Sequence, residues 1–224
     1  MIDWAWLADH LDAIVLRTVQ HVYLTAIALT VGFAISFVLA LWVVRRRMLY
    51  GPVIGVAGIL FTIPSLALFA ALVPITGLSV LTAVVPLVLY TLVIFIHNIV
   101  TGLEGVPAEV VEAASGMGYS RGQRLWQVEL PLAIPLLVAG LRVASVSTIG
   151  LVTISALIGD AYGGLGFFIT EGIRHSFPTE IYTGAILSMA LAVVADLIFV
   201  RLQRRITPWS RARAAGSPAP VTPR

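Results

Sequence analysis

Cysteine is absent from this sequence, which excludes disulfides and thiolate metal sites. Lysine is absent too, and all 14 basic residues are arginine. A Walker A phosphate loop needs its lysine, so if the protein takes part in ATP-driven work, another chain hydrolyses the ATP. Charge of either sign is scarce. Only 11% of the 224 residues are charged, against about 25% in an ordinary soluble domain. No nucleophile–base constellation stands out, and no His, Asp or Glu cluster has metal-ligand spacing. What fills the chain instead is apolar: 59% of residues are hydrophobic and the mean hydropathy is +0.99. This is the composition of an all-α integral membrane protein. The isoelectric point near 9.7 follows from membrane orientation and calls for no nucleic acid.

Five apolar segments cover residues 22–44, 51–74, 78–100, 132–158 and 181–200. Each meets or exceeds the ~20 residues that a helix needs to cross the hydrocarbon core. Residues 1–20 carry Asp3, Asp9, Asp12 and Arg17 among Trp4, Trp6, Leu7, Leu11 and Leu16, the pattern of an interfacial helix. They lack the basic start and small-residue cleavage site of a signal peptide. Residues 207–224 are rich in Pro, Ala, Ser and Arg, which predicts a disordered tail. Arginine placement sets the orientation. Arg45, Arg46 and Arg47 follow the first segment, Arg121 and Arg124 the third, and Arg201, Arg204, Arg205, Arg211, Arg213 and Arg224 the fifth. The alternate side holds only Arg17 and Arg174. Positive residues stay inside, so the N-terminus is expected outside and the C-terminus in the cytoplasm.

The one long polar interval, residues 101–131, then falls in the cytoplasm. It reads as two short helices with a tight joint. Pro107 suits the first position of helix one, and Glu109 and Glu112 its positive dipole end. Gly118 is placed to end that helix in the left-handed conformation. Ser120 with Gln123 forms a capping-box pattern for helix two, which Pro131 is expected to close. Ala113, Ala114 and Gly116 leave helix one nearly without bulk, so another protein's backbone can approach closely. The runner-up reading is a solvated amphipathic hairpin.

Glu112-Ala113-Ala114, three residues, Gly118, nine residues, then Val128-Glu129-Leu130-Pro131 resembles the EAA loop of permease subunits of binding-protein-dependent ABC importers. The family usually has Ile at the position of Val128. Thr62-Ile63-Pro64-Ser65-Leu66-Ala67-Leu68, Gly116-Met117-Gly118 and Ala156-Leu157-Ile158-Gly159 are similar to the osmoprotectant branch, and the likeness runs from about His21 to Arg205. The resemblance implies a type I ABC importer transmembrane domain over residues 21–206, in a bacterial or archaeal inner membrane. Glu112, Ala113, Ala114, Gly118, Val128, Leu130 and Pro131 would engage the ATPase. ATP would be bound there, and this chain would need no cofactor. The partners implied are ABC ATPase subunits, a second permease copy or a related permease, and an external substrate-binding protein. The substrate implied is a compatible solute such as glycine betaine, choline or carnitine.

Gly163-Gly164-Leu165-Gly166 lies in an external loop, residues 159–180, where a short outer helix would meet the binding protein. There Asp160-Ala161-Tyr162 departs from the family pattern. No strand precedes this glycine run, so it is not a nucleotide motif.

Several polar residues lie inside the apolar segments. Pro64 breaks a backbone hydrogen bond in mid-segment; Pro64 and Ser65 mark either a structural kink or a bend lining the path. Arg142 and Asp196 are charges that membranes exclude unless paired. Gly184, Ser188, Ala192 and Asp196 recur every four residues as a packing face. Asp196 is therefore expected to turn into protein and pair with Arg142, the alternative being that both side chains extend toward the headgroups. His97 and Asn98 suit helix-end hydrogen bonds. Ser145, Ser147, Thr148, Thr153 and Ser155 are expected to donate between helices. Within the importer class, a permease for methionine or another small organic nutrient is the alternative. Outside it stands a secondary transporter or channel, which should show internal repeats or embedded coupling charges.

Overall fold

The computed structural model describes residues 2–159 and 162–206. Within them the elements are helical throughout. Helix α1 covers Trp4–Asp9, α2 Leu11–Arg45, α3 Tyr50–Thr62, α4 Ser65–Thr76 and α5 Val80–Glu104. Helices α6 (Ala108–Gly116) and α7 (Arg121–Arg124) follow, then α8 (Leu130–Ser155), α9 (Gly166–Arg174) and α10 (Pro178–Ile206). The expected disordered tail, with Arg211, Arg213 and Arg224, lies outside the described residues, as does Asp160.

Helix α5 is the axis of the bundle. It buries Leu87, Phe95, Ile96 and Ile99 almost completely and packs against both α2 and α8, which also touch each other. Close approach depends on small residues. A Cβ on Gly32 of α2 would stand 1.9 Å from the Thr91 hydroxyl of α5, and one on Gly140 of α8 would stand 2.7 Å from Cβ of Asn98. In a bilayer such backbone proximity replaces the hydrophobic drive that lipid removes.

Contacts between elements sort the helix ends. Arg47, just past α2, pairs with Glu104 at the end of α5 at 3.3 Å. Gly102 of α5 faces Ala133 and Leu137 near the start of α8, and Gln203 of α10 reaches the Pro135 carbonyl at 3.4 Å. These ends form one arginine-rich end of the bundle. At the other end, His21 near the start of α2 binds α8 and the start of α9, and the Asp3 amide donates to Thr179 at the start of α10 at 3.0 Å. Helices α2 and α5 therefore run parallel, and the chain between them must return across the bundle.

That return differs from the sequence expectation. Residues 51–74 do not form one kinked helix. Arg47–Thr62 and Ser65–Thr76 meet at 91°. At 1.5 Å per residue, α3 and α4 are each about 20 Å long, too short to cross the ~30 Å core alone. Pro64 removes one ladder bond, and Ile63 and Pro64 are both extended, with ψ of 127° and 129°. With the four long helices, the broken pair taken as one span gives up to five crossings among the described residues.

Three smaller expectations also change. Residues 1–20 do not make a single interfacial helix: α1 has six residues, and from Leu11 the chain already belongs to the 35-residue α2. Helix two of the polar interval is not closed by Pro131. A π turn over Leu125–Glu129 leads directly into α8. The wider turn, with Leu130 N–H reaching the Leu125 carbonyl, absorbs the proline. The Ser145, Thr153 and Ser155 hydroxyls bond carbonyls of their own helix, at 2.6, 2.6 and 2.7 Å. Hydroxyls three or four residues along a helix find those acceptors without needing a neighbour. Ser155 also donates to the Tyr162 carbonyl at 3.0 Å.

Candidate functional site

The polar interval forms a helix–turn–helix at the arginine-rich end. Pro107 caps α6 from just outside it instead of occupying the first turn, with ψ of 136°. Gly118 has φ of 85°. The Gly118 amide donates to the Ser115 carbonyl at 3.0 Å and the Tyr119 amide to the Ala114 carbonyl at 3.1 Å. This is a Schellman closure, whose left-handed position favours glycine. Ser120 and Gln123 then form a complete capping box.

One side chain ties the two helices together. The Arg124 guanidinium donates to Glu129 at 2.6 Å and to the Ser115 hydroxyl at 3.1 Å. Ser115 donates in turn to the Val111 carbonyl at 2.8 Å. Ala114 is buried at the joint, while Glu112, Ala113, Gly116 and Gly118 are exposed. Met117 is 70% exposed. A Cβ on Gly116 or Gly118 would meet nothing within 4 Å, so neither glycine is needed for packing inside this chain. Val128 is half-buried and Leu130 buried, on the π turn and the α8 start that hold the pair to the bundle. A rigid acidic and small-residue face thus projects from the membrane region.

The expected residues of the spans fall as follows. Arg142 Nε lies 2.8 Å and Nη2 3.2 Å from the two carboxylate oxygens of Asp196, a bidentate bridge between α8 and α10. Gly184 and Ser188 of the small-residue face are buried, with Gly184 against Leu165 and Ile169. Tyr50 and His97 meet at 3.3 Å, and Asn98 bonds the Ile94 carbonyl at 2.8 Å. Pro64 and Ser65 stand at the 91° break.

Two further residues shape the membrane region. The Tyr90 hydroxyl, on α5, donates to the Ile63 carbonyl at the break. His21 is fully buried; its Nε2 donates to the Ile149 carbonyl at 3.0 Å and its Nδ1 accepts from the Leu165 amide at 3.2 Å. Those partners fix a neutral tautomer that joins three elements. Gly164 has φ of 51°, and a Cβ there would stand 2.8 Å from Cβ of His21. The sequence signal for both residues was a polar side chain within an apolar run. Among the described residues no cluster of three or more His, Cys, Asp or Glu could hold a metal ion.

The family model for the "binding-protein-dependent transport system inner membrane component" matches residues 32–209. The chain belongs to that family. It is an inner-membrane permease subunit of an ABC importer and not an enzyme. It is 37% identical over 208 residues to the osmoprotectant import permease protein OsmW of Salmonella typhimurium, covering 91% of this chain and 96% of that one. It is 33% identical over 192 residues to the glycine betaine/carnitine/choline transport system permease protein OpuCB of Bacillus subtilis, covering 86% and 88%. Among solved structures, the inward-facing MetNI methionine ABC transporter superposes with a TM-score of 0.77 at 23% identity, covering 87% of this chain and 96% of that one. An amino acid ABC transporter gives 0.73 at 17% identity, covering 92% and 99%. These two establish the type I importer fold alone.

Proposed function

We propose that this permease carries a compatible solute of the glycine betaine, choline or carnitine type from an external binding protein into the cytoplasm. A separate ATPase drives it by docking on residues 101–131. The observation that carries the docking reading is the rigid, exposed α6–α7 pair, whose small residues let a partner's backbone approach. Glu112, Ala113, Ala114 and Gly118 form the docking joint, and Val128, Leu130 and Pro131 pass its motion into α8. The substrate assignment rests on the relatives, whose names include osmoprotectant, glycine betaine, carnitine and choline. The methionine reading has only the fold likeness behind it.

The N-terminus lies outside and the C-terminus in the cytoplasm, since the arginine-rich end belongs on the inner side. Residues 1–20 face the exterior and 21–206 form the transmembrane domain. Two permeases, identical or related, together supply two docking loops and two walls of the pathway, with Pro64 and Ser65 on that wall. Helix α9 meets the binding protein. Arg142 and Asp196 hold α10 to α8.

A cysteine at Ala113 tests the docking directly, because the chain supplies no other thiol. Ala113→Cys should cross-link to the ATPase carrying a cysteine in its docking groove, and the cross-link should block uptake. An Ala113→Cys protein that copurifies with no ATPase and cross-links to none would sink the docking reading.

A further inference from the structure

The break between α3 and α4 leaves polar backbone where the bilayer tolerates none. Tyr90, near the middle of α5, bonds the Ile63 carbonyl, which sets the break near mid-depth. Non-helical backbone at that depth persists only inside protein or beside water. This chain does not bury it: Thr62 and Pro64 are exposed, and Phe61 and Leu66 are 45% and 47% exposed.

The end of α3 is electronegative. The last carbonyls of a helix have no partner within it and carry the negative end of its dipole. Here the Thr62 hydroxyl satisfies the Ile59 carbonyl at 2.7 Å. The Leu60 carbonyl, whose partner four residues on would be Pro64, receives no such donor. None of the turn or loop backbone hydrogen bonds among the described residues ends on Leu60, Phe61 or Thr62. Beside them stands an aromatic pair. The Phe61 ring lies 5.6 Å from that of Tyr90 at 71°, edge to face, which fixes the half-exposed Phe61 ring against α5.

Bare carbonyls and a held aromatic face suit one kind of guest. We infer that this break, where buried Tyr90 holds the open Phe61 ring beside the carbonyl end of α3, is a transient contact site within the permease for the quaternary ammonium group of the passing solute. A trimethylammonium group has no N–H to give, so it is held by ring faces and partial negative charge. The site is open on one side, so the hold is weak, as release toward the cytoplasm requires. The inference rests on the substrate class proposed above.

The test uses the complex with its ATPase, without binding protein, so that protection can come only from the permease. Ser65→Cys and, as a second reporter, Leu66→Cys supply the only thiols in this chain. A membrane-impermeant thiol reagent should label them. Choline and glycine betaine should slow the labelling, whereas the uncharged tert-butyl isostere of choline should not. Phe61→Leu should weaken that protection about tenfold, and Phe61→Trp should retain it.

Absence of labelling at both positions would overturn the inference, because the break would not face water. Equal protection by the isostere, or protection unchanged in Phe61→Leu, would overturn it as well. ATP-driven uptake by the wild-type complex with its binding protein separates the two readings. Quaternary ammonium uptake without protection removes this site alone, whereas no such uptake removes the substrate class with it.

Discussion

Gly118→Val is expected to leave the protein in the membrane and to cut ATP-driven uptake about tenfold or more. Gly118 sits at φ of 85°, where a side chain costs about 1–2 kcal/mol and a β-branched one is an outlier. A Cβ would meet no neighbour within 4 Å, so the damage comes through the backbone. The chain would leave the left-handed region, and the hydrogen bonds from Gly118 to Ser115 and from Tyr119 to Ala114 would be lost. Helix α7 would then point elsewhere relative to α6, and the docking joint would no longer transmit the ATPase's motion. The spanning helices do not depend on this turn, so insertion survives. Uptake and ATP hydrolysis measured on the same vesicles should separate, with hydrolysis persisting while uptake falls. Gly118→Asn, which tolerates the left-handed region, should keep most of the activity. Wild-type uptake by Gly118→Val would count against the coupling role.

The second large effect concerns the charge pair. Asp196→Leu alone leaves the Arg142 guanidinium, now held by two hydrogen bonds of 2.8 and 3.2 Å, without its carboxylate among apolar helices. Arg142→Leu leaves Asp196 in the same position. Each single change should lower the yield of folded protein several-fold, because one partner of a membrane charge pair is tolerated far less well than none. The double change Arg142→Leu with Asp196→Leu should recover most of the loss. Yield after detergent extraction and size-exclusion chromatography reads this out. A double variant no better than either single one would show that the bridge does not hold α10 to α8.

The parts of this molecule that were legible in the sequence are those set by neighbours along the chain. The capping box at Ser120 and Gln123 and the left-handed Gly118 follow from residue types a few positions apart. The long apolar runs gave the spanning helices in the same way. What escaped is set at a distance. Pro64 marked a break, but the 91° bend is accompanied by a bond from Tyr90 to the Ile63 carbonyl, 27 residues back along the chain. His21 carried no expectation from the sequence, because its partners are 128 and 144 residues away. Pro131 suggested a helix end by the usual rule, and the π turn before it let the helix continue. The serine and threonine hydroxyls of α8 went the other way. They looked suited to bonds between helices, and the nearest acceptor on their own helix won. For the candidate docking loop, residue spacing was enough to propose the face. For the break in the membrane, composition gave no measure of which groups would be left bare.

We propose this chain as the membrane path of an ATP-driven importer for quaternary ammonium solutes. ATP-dependent uptake into vesicles holding the permease, its ATPase and its binding protein tests it most directly. Labelled glycine betaine, choline and carnitine would be offered beside a panel of amino acids that includes methionine. One or more of the quaternary ammonium solutes should accumulate only when ATP is inside with the ATPase, and none of the amino acids should accumulate. Accumulation of an amino acid in their place, or of any solute without ATP, would contradict it.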